Sequence, residues 1–428
     1  MRPHDTAGTA AVSTAEPATT TAVTTTSGAE GSLKRVSITF WQGVAMIFGT
    51  NIGAGILSLP YGMREGGFTA LVIALVLSGF LTTCSMLYVA EVALRTRKPM
   101  QLAGLARRYI GQAGSWLVFA GVLVNGYGAM IAYSTGSGEI LSNLLGISPT
   151  LGSLIFLIPG ITVIWFGLHA TGRSEQLITT TMLIICLSLV AWTLFGPGID
   201  IANLTYFEPY FIIPIVNLTV FAFLAQYIVP ELARGLAEHN PRMLPRAIVT
   251  GMVATGTLLA LIPLSALGLM GHDGLTPVVT LGWGQQLGPI AYYLANIFAA
   301  LAMLTSFWAL GLTLHTNILD RFNLQESNYR HRAISIAAAC LVPFAIGLIG
   351  LAGFVSALGY AGAFAGAVMA VVPVLMLTRA RRTGDLEPAW QAGWVAHPAI
   401  RIAMITVFTG AFVCSLLTII GLVPNGWT

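Results

Sequence analysis

Apolar runs of membrane-crossing length repeat along this chain from residue 40 to residue 423, separated by short polar loops. A spanning helix needs about 20 predominantly apolar residues. Eleven runs qualify, at approximately 40–62, 68–94, 115–145, 151–169, 176–196, 211–236, 246–270, 289–318, 333–351, 354–378 and 400–423. The third and eighth exceed one straight crossing, which predicts tilt; the fourth is short and carries Pro159. Lys and Arg gather in alternate loops. Lys34 and Arg35 precede the first run, and Arg95, Arg97, Lys98, Arg107 and Arg108 follow the second. Arg173, then Arg234, Arg242 and Arg246, then Arg321, Arg330 and Arg332, then Arg379, Arg381, Arg382 and Arg401 continue the alternation. The opposite loops are nearly free of them, Arg64 being the clear exception. Cytoplasmic loops carry the positive excess, so the N-terminus is expected in the cytoplasm. The odd number of spans then puts the C-terminus outside. The expected location is the inner (cytoplasmic) membrane of the cell, as a multi-pass protein.

Two of the runs are interrupted. The first contains Gly49-Thr50-Asn51-Ile52-Gly53-Ala54-Gly55-Ile56-Leu57-Ser58-Leu59-Pro60 near its middle. Each glycine weakens a helix by roughly 1 kcal/mol relative to alanine, and the cluster predicts a helix broken at bilayer depth. Such a break is tolerated only where it is buried in protein or lines a cavity. The sixth run contains Gln226, Pro230 and Glu231. Pro230 lacks a backbone donor and clashes with the carbonyl four residues back, which predicts a second break over Gln226–Pro230. Paired interruptions in two halves of opposite orientation mark secondary transporters built from inverted repeats. The expected fold is an all-α polytopic membrane protein. A disordered cytoplasmic tail covers 1–34 and a transporter domain 35–424. The first repeat spans 35–200 (helices 1–5), the second 205–380 (helices 6–10), and helix 11 lies at 398–424.

Composition agrees. Of 428 residues 56% are hydrophobic and 8% charged, against about 25% charged in soluble chains. The tail is rich in Thr, Ala, Ser and Gly and lacks the apolar core of a signal peptide. Cys84, Cys186, Cys340 and Cys414 fall inside apolar runs without CxxC spacing, so neither a disulfide frame nor a metal site is implied. No HExxH, Walker or GxSxG pattern is present. Gly53-x-Gly55-x-x-Ser58 follows no strand and so does not read as a dinucleotide loop. No enzyme, no organic cofactor and no nucleic-acid partner are expected; the lipid bilayer is, and oligomeric state is left open. The outer loop 271–288 reads equally as a cover for a cavity mouth and as an ordinary loop.

The stretch Gly49–Pro60 resembles the first-helix motif of the aromatic and hydroxy amino acid permeases (the tryptophan/tyrosine permease group), and is similar to that of the amino acid/auxin permeases. Pro60-Tyr61, Glu91 and the run Thr305-Ser306-Phe307 with Gly311-Leu312 extend the likeness. Ala225-Gln226-Tyr227 in the sixth run departs from the Gly-Phe-His type of the bacterial permeases. Both groups belong to the amino acid–polyamine–organocation superfamily. The resemblance implies a LeuT-type 5+5 fold over about 35–424 and ion-coupled amino acid import by alternating access, of aromatic or other neutral amino acids. A non-transporting receptor with a carrier fold is the alternative, separated by uptake into proteoliposomes.

An amino acid substrate fixes the chemistry to look for. Its carboxylate needs amide donors at a helix N-terminus, offered by Gly53, Ala54 and Gly55. Its ammonium needs carbonyls where the first half-helices end, near Gly49–Thr50–Asn51 and Phe221–Ala225. Phe221, Phe223, Gln226 and Tyr127 are the candidates for the side-chain wall. The LeuT-type resemblance implies that a third-helix tyrosine, Tyr127, bonds the carboxylate; the packing reading of Tyr127 has equal weight, and Tyr133 is a lesser candidate. It also implies that Thr305 and Ser306, with first-helix carbonyls at Gly49 and Ile52, hold sodium. Such hydroxyls also bond back to their own helix, and proton-coupled relatives share the pair, so H+ and Na+ both stand as coupling ions. Glu91, Glu231, His169 and His315 are the titratable groups in or near the spans. Glu231 is the candidate proton relay, with an ion pair to Arg234 as its plain alternative. Glu91 reads as an ion pair with Arg95.

Overall fold

The computed structural model describes residues 38–166, 172–236 and 240–423. The tail expected over 1–34 and the candidate His169 lie outside them. Helix α1 (Phe40–Asn51) opens on a capping box, in which Thr39 and Gln42 bond each other's backbone. It gives way to α2 (Ala54–Gly62) at a bend of 52°. Then come α3 (Gly67–Leu94), the short α4 (Leu102–Ile110), α5 (Gln112–Leu145), α6 (Pro149–Phe166) and α7 (Gly172–Phe195). The second half begins with α8 (Ile212–Phe223) and α9 (Val229–Leu236), followed by α10 (Met243–Met270), α11 (Val279–Leu287) and α12 (Pro289–Phe322). It continues with α13 (Tyr329–Ile336) and α14 (Val342–Leu348), joined by a π-turn at Ala337–Leu341, then α15 (Phe354–Thr383) and α16 (Pro398–Ile419). The described residues contain no strand.

Nine helical stretches among the described residues are each long and apolar enough to cross a membrane, and α1 with α2 passes as one bent span. The apolar part of α7, Thr180–Phe195, supplies the remaining one, so that every expected run has its helix. The two long runs became α5 and α12, of 34 residues each. Two expected loops hold helices. On α4 the buried positions Leu102, Leu105, Ala106 and Tyr109 keep the spacing of one helix face, with Arg107 and Arg108 on the other side. On α11 the buried Trp283 donates to Thr193 Oγ1 of α7 at 2.8 Å, pinning this segment to the bundle.

Helix α15 is the axle of the molecule. Its Gly362 abuts the backbone of Asn217 and Phe221 on α8, and Gly366 abuts Val220. On its other side, Gly128 of α5 lies against Ala357 and Ala361. Lipid tails supply no hydrophobic drive between helices, so close backbone approach at small residues holds such contacts. At the arginine-rich end, Glu91 has no exposed surface. Its carboxylate accepts from Arg95 at 2.9 Å, from Arg381 at 2.9 and 2.8 Å, and from the Ala392 amide at 2.8 Å. The pair with Arg95 was expected. Arg381 completes a knot joining α3, α15 and the 384–396 loop.

Candidate functional site

The two breaks touch. Helix α1 stops because Ile52 leaves helical geometry (φ −82°, ψ 104°), its N–H still bonded to Phe48 O at 3.0 Å. The last carbonyls of α1 therefore have no following turn, and the first amides of α2 have no preceding one. Ile56 N–H turns back to Gly53 O at 3.2 Å, with Ala54 and Gly55 at the open helix end. A methyl group on Gly55 would meet Ala222 Cβ at 3.0 Å and Phe221 Cδ1 at 3.5 Å. One on Gly53 would meet Ser306 Oγ at 2.9 Å and Tyr133 Oη at 3.8 Å. Thus Gly55 lets α8 close on the break, and Gly53 leaves room for the hydroxyls of α12 and α5. A methyl group on Gly49 would meet nothing within 4 Å outside its own helix. Thr50 bonds back to Met46 O at 2.7 Å. Buried Asn51 turns toward α10, its Nδ2 3.6 Å from Met252 Sδ and its Oδ1 unpartnered.

The second break lies earlier than Gln226–Pro230. Helical geometry ends at Leu224 (φ −74°, ψ 93°) and Ala225 (φ −131°, ψ 17°), followed by a single 3-10 turn over Gln226–Ile228. Pro230 sits in the first turn of α9, where a missing N–H costs nothing because that donor has no partner in any case. Pro230 therefore starts the second half-helix instead of breaking the first.

Several candidate side chains move in consequence. Phe221 stays at the junction, between Gly55 and Gly362. Phe223 does not line the break: its ring tip lies over Gly79 of α3 and Gly256 of α10, where an added methyl would meet it at 3.0 and 3.4 Å. Tyr127 is turned away as well, its hydroxyl donating to Ala338 O at 2.7 Å. That carbonyl lies in the π-turn, where the widened helix alters the usual backbone pairing. The buried Tyr133 takes the place facing Gly53 and Ser306. The phase of α12 is set by Phe307, fully buried among Tyr133, Phe156 and Phe344; with that ring anchored, Ser306 faces the break. Thr305 donates back to Leu301 O at 2.9 Å, leaving its oxygen lone pairs free. Of the two hydroxyls expected at an ion, only that of Ser306 is placed beside the α1–α2 break; Thr305 bonds to its own helix. The described residues contain no cluster of His, Cys, Asp or Glu that could hold a metal.

Glu231 is not in the bundle. It is exposed and accepts from Gln101 Nε2 at 3.1 Å, and it forms no pair with Arg234. His315 is buried, its Nδ1 2.7 Å from Ser335 Oγ and its Nε2 unpartnered.

Sequence reading missed a polar seam on α3. Ser78, Thr82 and Ser85 are fully buried, and their spacing of four and three places them on one face. Ser78 pairs with Thr219 of α8 at 2.9 Å. Ser85 donates to Met369 O at 2.5 Å and accepts from Gln226 Nε2 at 3.5 Å. That leaves Gln226 Oε1 buried without a partner, as is Asn125 Oδ1 on α5. Both residues line one narrow cavity under the second break, with Leu224, Tyr227, Leu310 and Met369. The cavity measures about 20 Å³, room for roughly one water.

Residues 37–415 match the tryptophan/tyrosine permease family. The chain belongs to that family. Among relatives of this permease, the tyrosine-specific transport system 1 of Haemophilus influenzae is 28% identical over 354 residues, 79% of this chain and 87% of that protein. The tryptophan-specific transport protein of Pseudomonas aeruginosa is 28% identical over 394 residues, covering 85% and 91%. The crystal structure of MhsT in complex with L-phenylalanine superposes with a TM-score of 0.62 at 13% identity, covering 91% of the permease and all (100%) of that chain. The permease is thus a multi-pass membrane protein of the LeuT-type fold, in a family whose members are amino acid transporters.

Proposed function

We propose that this permease imports aromatic amino acids, tryptophan or tyrosine, across the cytoplasmic membrane by ion-coupled alternating access, its N-terminus in the cytoplasm. One observation carries the reading: two broken helices meet at Gly55 and Ala222, with the hydroxyls of Ser306 and Tyr133 turned toward Gly53. The substrate carboxylate takes the open amides at Ala54 and Gly55 at the positive end of α2, with the Tyr133 hydroxyl as a further donor. The ammonium takes carbonyls at the ends of α1 and α8. The aromatic side chain extends toward Asn125 and Gln226 when their cavity, sized for one water here, widens during the cycle; the two orphaned oxygens then accept from an indole N–H or a phenol O–H. Thr305 and Ser306 hold the coupling ion if it is sodium. A proton-coupled cycle leaves them as helix-packing hydroxyls.

The testing experiment is uptake by the purified protein in proteoliposomes of radiolabelled tryptophan, tyrosine, phenylalanine and leucine. A sodium gradient, a proton gradient or neither is imposed. Saturable accumulation of tryptophan or tyrosine under one gradient is expected. Equilibration without accumulation would remove ion coupling, and binding without flux would turn the protein into a receptor.

A further inference from the structure

The arginine-rich face carries a second cavity, separate from the break, of about 320 Å³. That is within the usual range of small-ligand pockets, about 300–1,000 Å³. Its walls include the α3–α4 connection with Lys98 and Met100, Leu105 of α4, α9 with Pro230, Ala233 and Arg234, and the loop with Leu386 and Glu387. Arg234 lines the cavity, and its Nε and Nη1 are covered from solvent with no hydrogen-bond partner among the described residues. A guanidinium with buried, unbonded donors is a costly arrangement unless an anion completes it.

Among the described residues, the nearby acids other than Glu387 have hydrogen-bond partners. Glu91 holds Arg95 and Arg381. Asp385 takes Arg108 and the Arg97 amide. Glu231 accepts from Gln101. Glu387 stands exposed at the cavity lip and pairs with neither Lys98 nor Arg234 among the described residues. The cavity therefore presents two cations from different segments and one solvated carboxylate.

We infer that this cavity is a binding site for a phosphate-type oxyanion, held by the Arg234 fork and Lys98, with an apolar portion of the ligand against Leu105, Pro230 and Leu386. Guanidinium geometry matches phosphate oxygens in pairs, and two cations on separate walls suit an anion with oxygens on several sides. The phosphate comes from a free cytoplasmic ligand or from an anionic lipid headgroup. Bound there, it ties the short half-helix α9 to the wall fastened by the Glu91 knot and the Arg108–Asp385 pair.

The test is thermal unfolding of the full chain in phosphate-free detergent. Inorganic phosphate is titrated against sodium chloride at matched ionic strength, for wild type, Arg234→Gln and Lys98→Gln. A second arm compares vesicles of phosphatidylcholine alone with vesicles containing phosphatidylglycerol. The expected result is a saturable rise of several degrees in Tm in wild type, lost in Arg234→Gln and weakened in Lys98→Gln. A rise with phosphate assigns a free ligand; a rise only with phosphatidylglycerol, equally sensitive to the substitutions, assigns a lipid headgroup. No saturable rise in either arm, or the same rise in all three proteins, overturns the site. If Arg234→Gln does not fold, the exposed Lys98→Gln decides alone by the same criterion.

Discussion

At the scale of residues, the glycines of the first break separate by what surrounds them. Gly53→Ala places a methyl 2.9 Å from Ser306 Oγ, so tryptophan or tyrosine uptake is expected to fall at least about 10-fold. Gly49→Ala, with nothing within 4 Å, is expected to retain near wild-type uptake. The double variant Gly53→Ala/Ser306→Ala removes the colliding hydroxyl. Recovery of uptake there would assign Gly53 to space alone, and continued loss would assign Ser306 to the site. The tyrosines divide similarly. Tyr133→Phe is expected to raise KM, whereas Tyr127→Phe removes a bond to Ala338 and is expected to lower thermal stability by about 1 kcal/mol with KM unchanged. Asn125→Leu and Gln226→Leu replace two orphaned acceptors. Each is expected to shift preference from tryptophan or tyrosine toward phenylalanine by about 10-fold or more in competition uptake; an unchanged ratio would remove that pocket from side-chain recognition.

At the scale of elements, a run of about 20 apolar residues has few stable alternatives to a helix in lipid, and so every span was legible. The first break was legible because a glycine cluster is locally weak whatever surrounds it. The second was misplaced because the effect of proline depends on where a helix starts, and α9 starts just before Pro230. Pro230→Ala is accordingly expected to leave uptake within about twofold, since Pro in a first turn forfeits no bond. Side-chain direction was least legible. Residues advance 100° around a helix, so Tyr127 and Tyr133 lie about 240° apart, and Phe221 and Phe223 about 200°. Packing chose among them: Phe307 among its aromatic neighbours fixes α12, and the Tyr127 bond to Ala338 ties α5 to the π-turn.

At the scale of the molecule, one buried carboxylate holds the arginine-rich end together. Glu91→Gln leaves Arg95 and Arg381 without their counter-charge across α3, α15 and the 384–396 loop. Removing one partner of a buried pair costs about 3–5 kcal/mol. A clear drop in unfolding temperature is expected, with KM for substrate unchanged in the protein that remains folded. A loss of substrate affinity without loss of stability would place Glu91 in the transport site instead.

The amino-acid order by itself determined the spans, the alternation of charge and the weak point at Gly49–Gly55, because each follows from local composition acting over one helix length. Only the tertiary structure decided which side chains meet. It joined Gly55 to Ala222, gave Tyr133 the place expected for Tyr127, sent Phe223 and Glu231 away from the break, and set Arg381 on Glu91. Those outcomes depend on the rotation of each helix about its axis and on partners that lie on other helices, and neither is encoded in the local pattern that makes a helix.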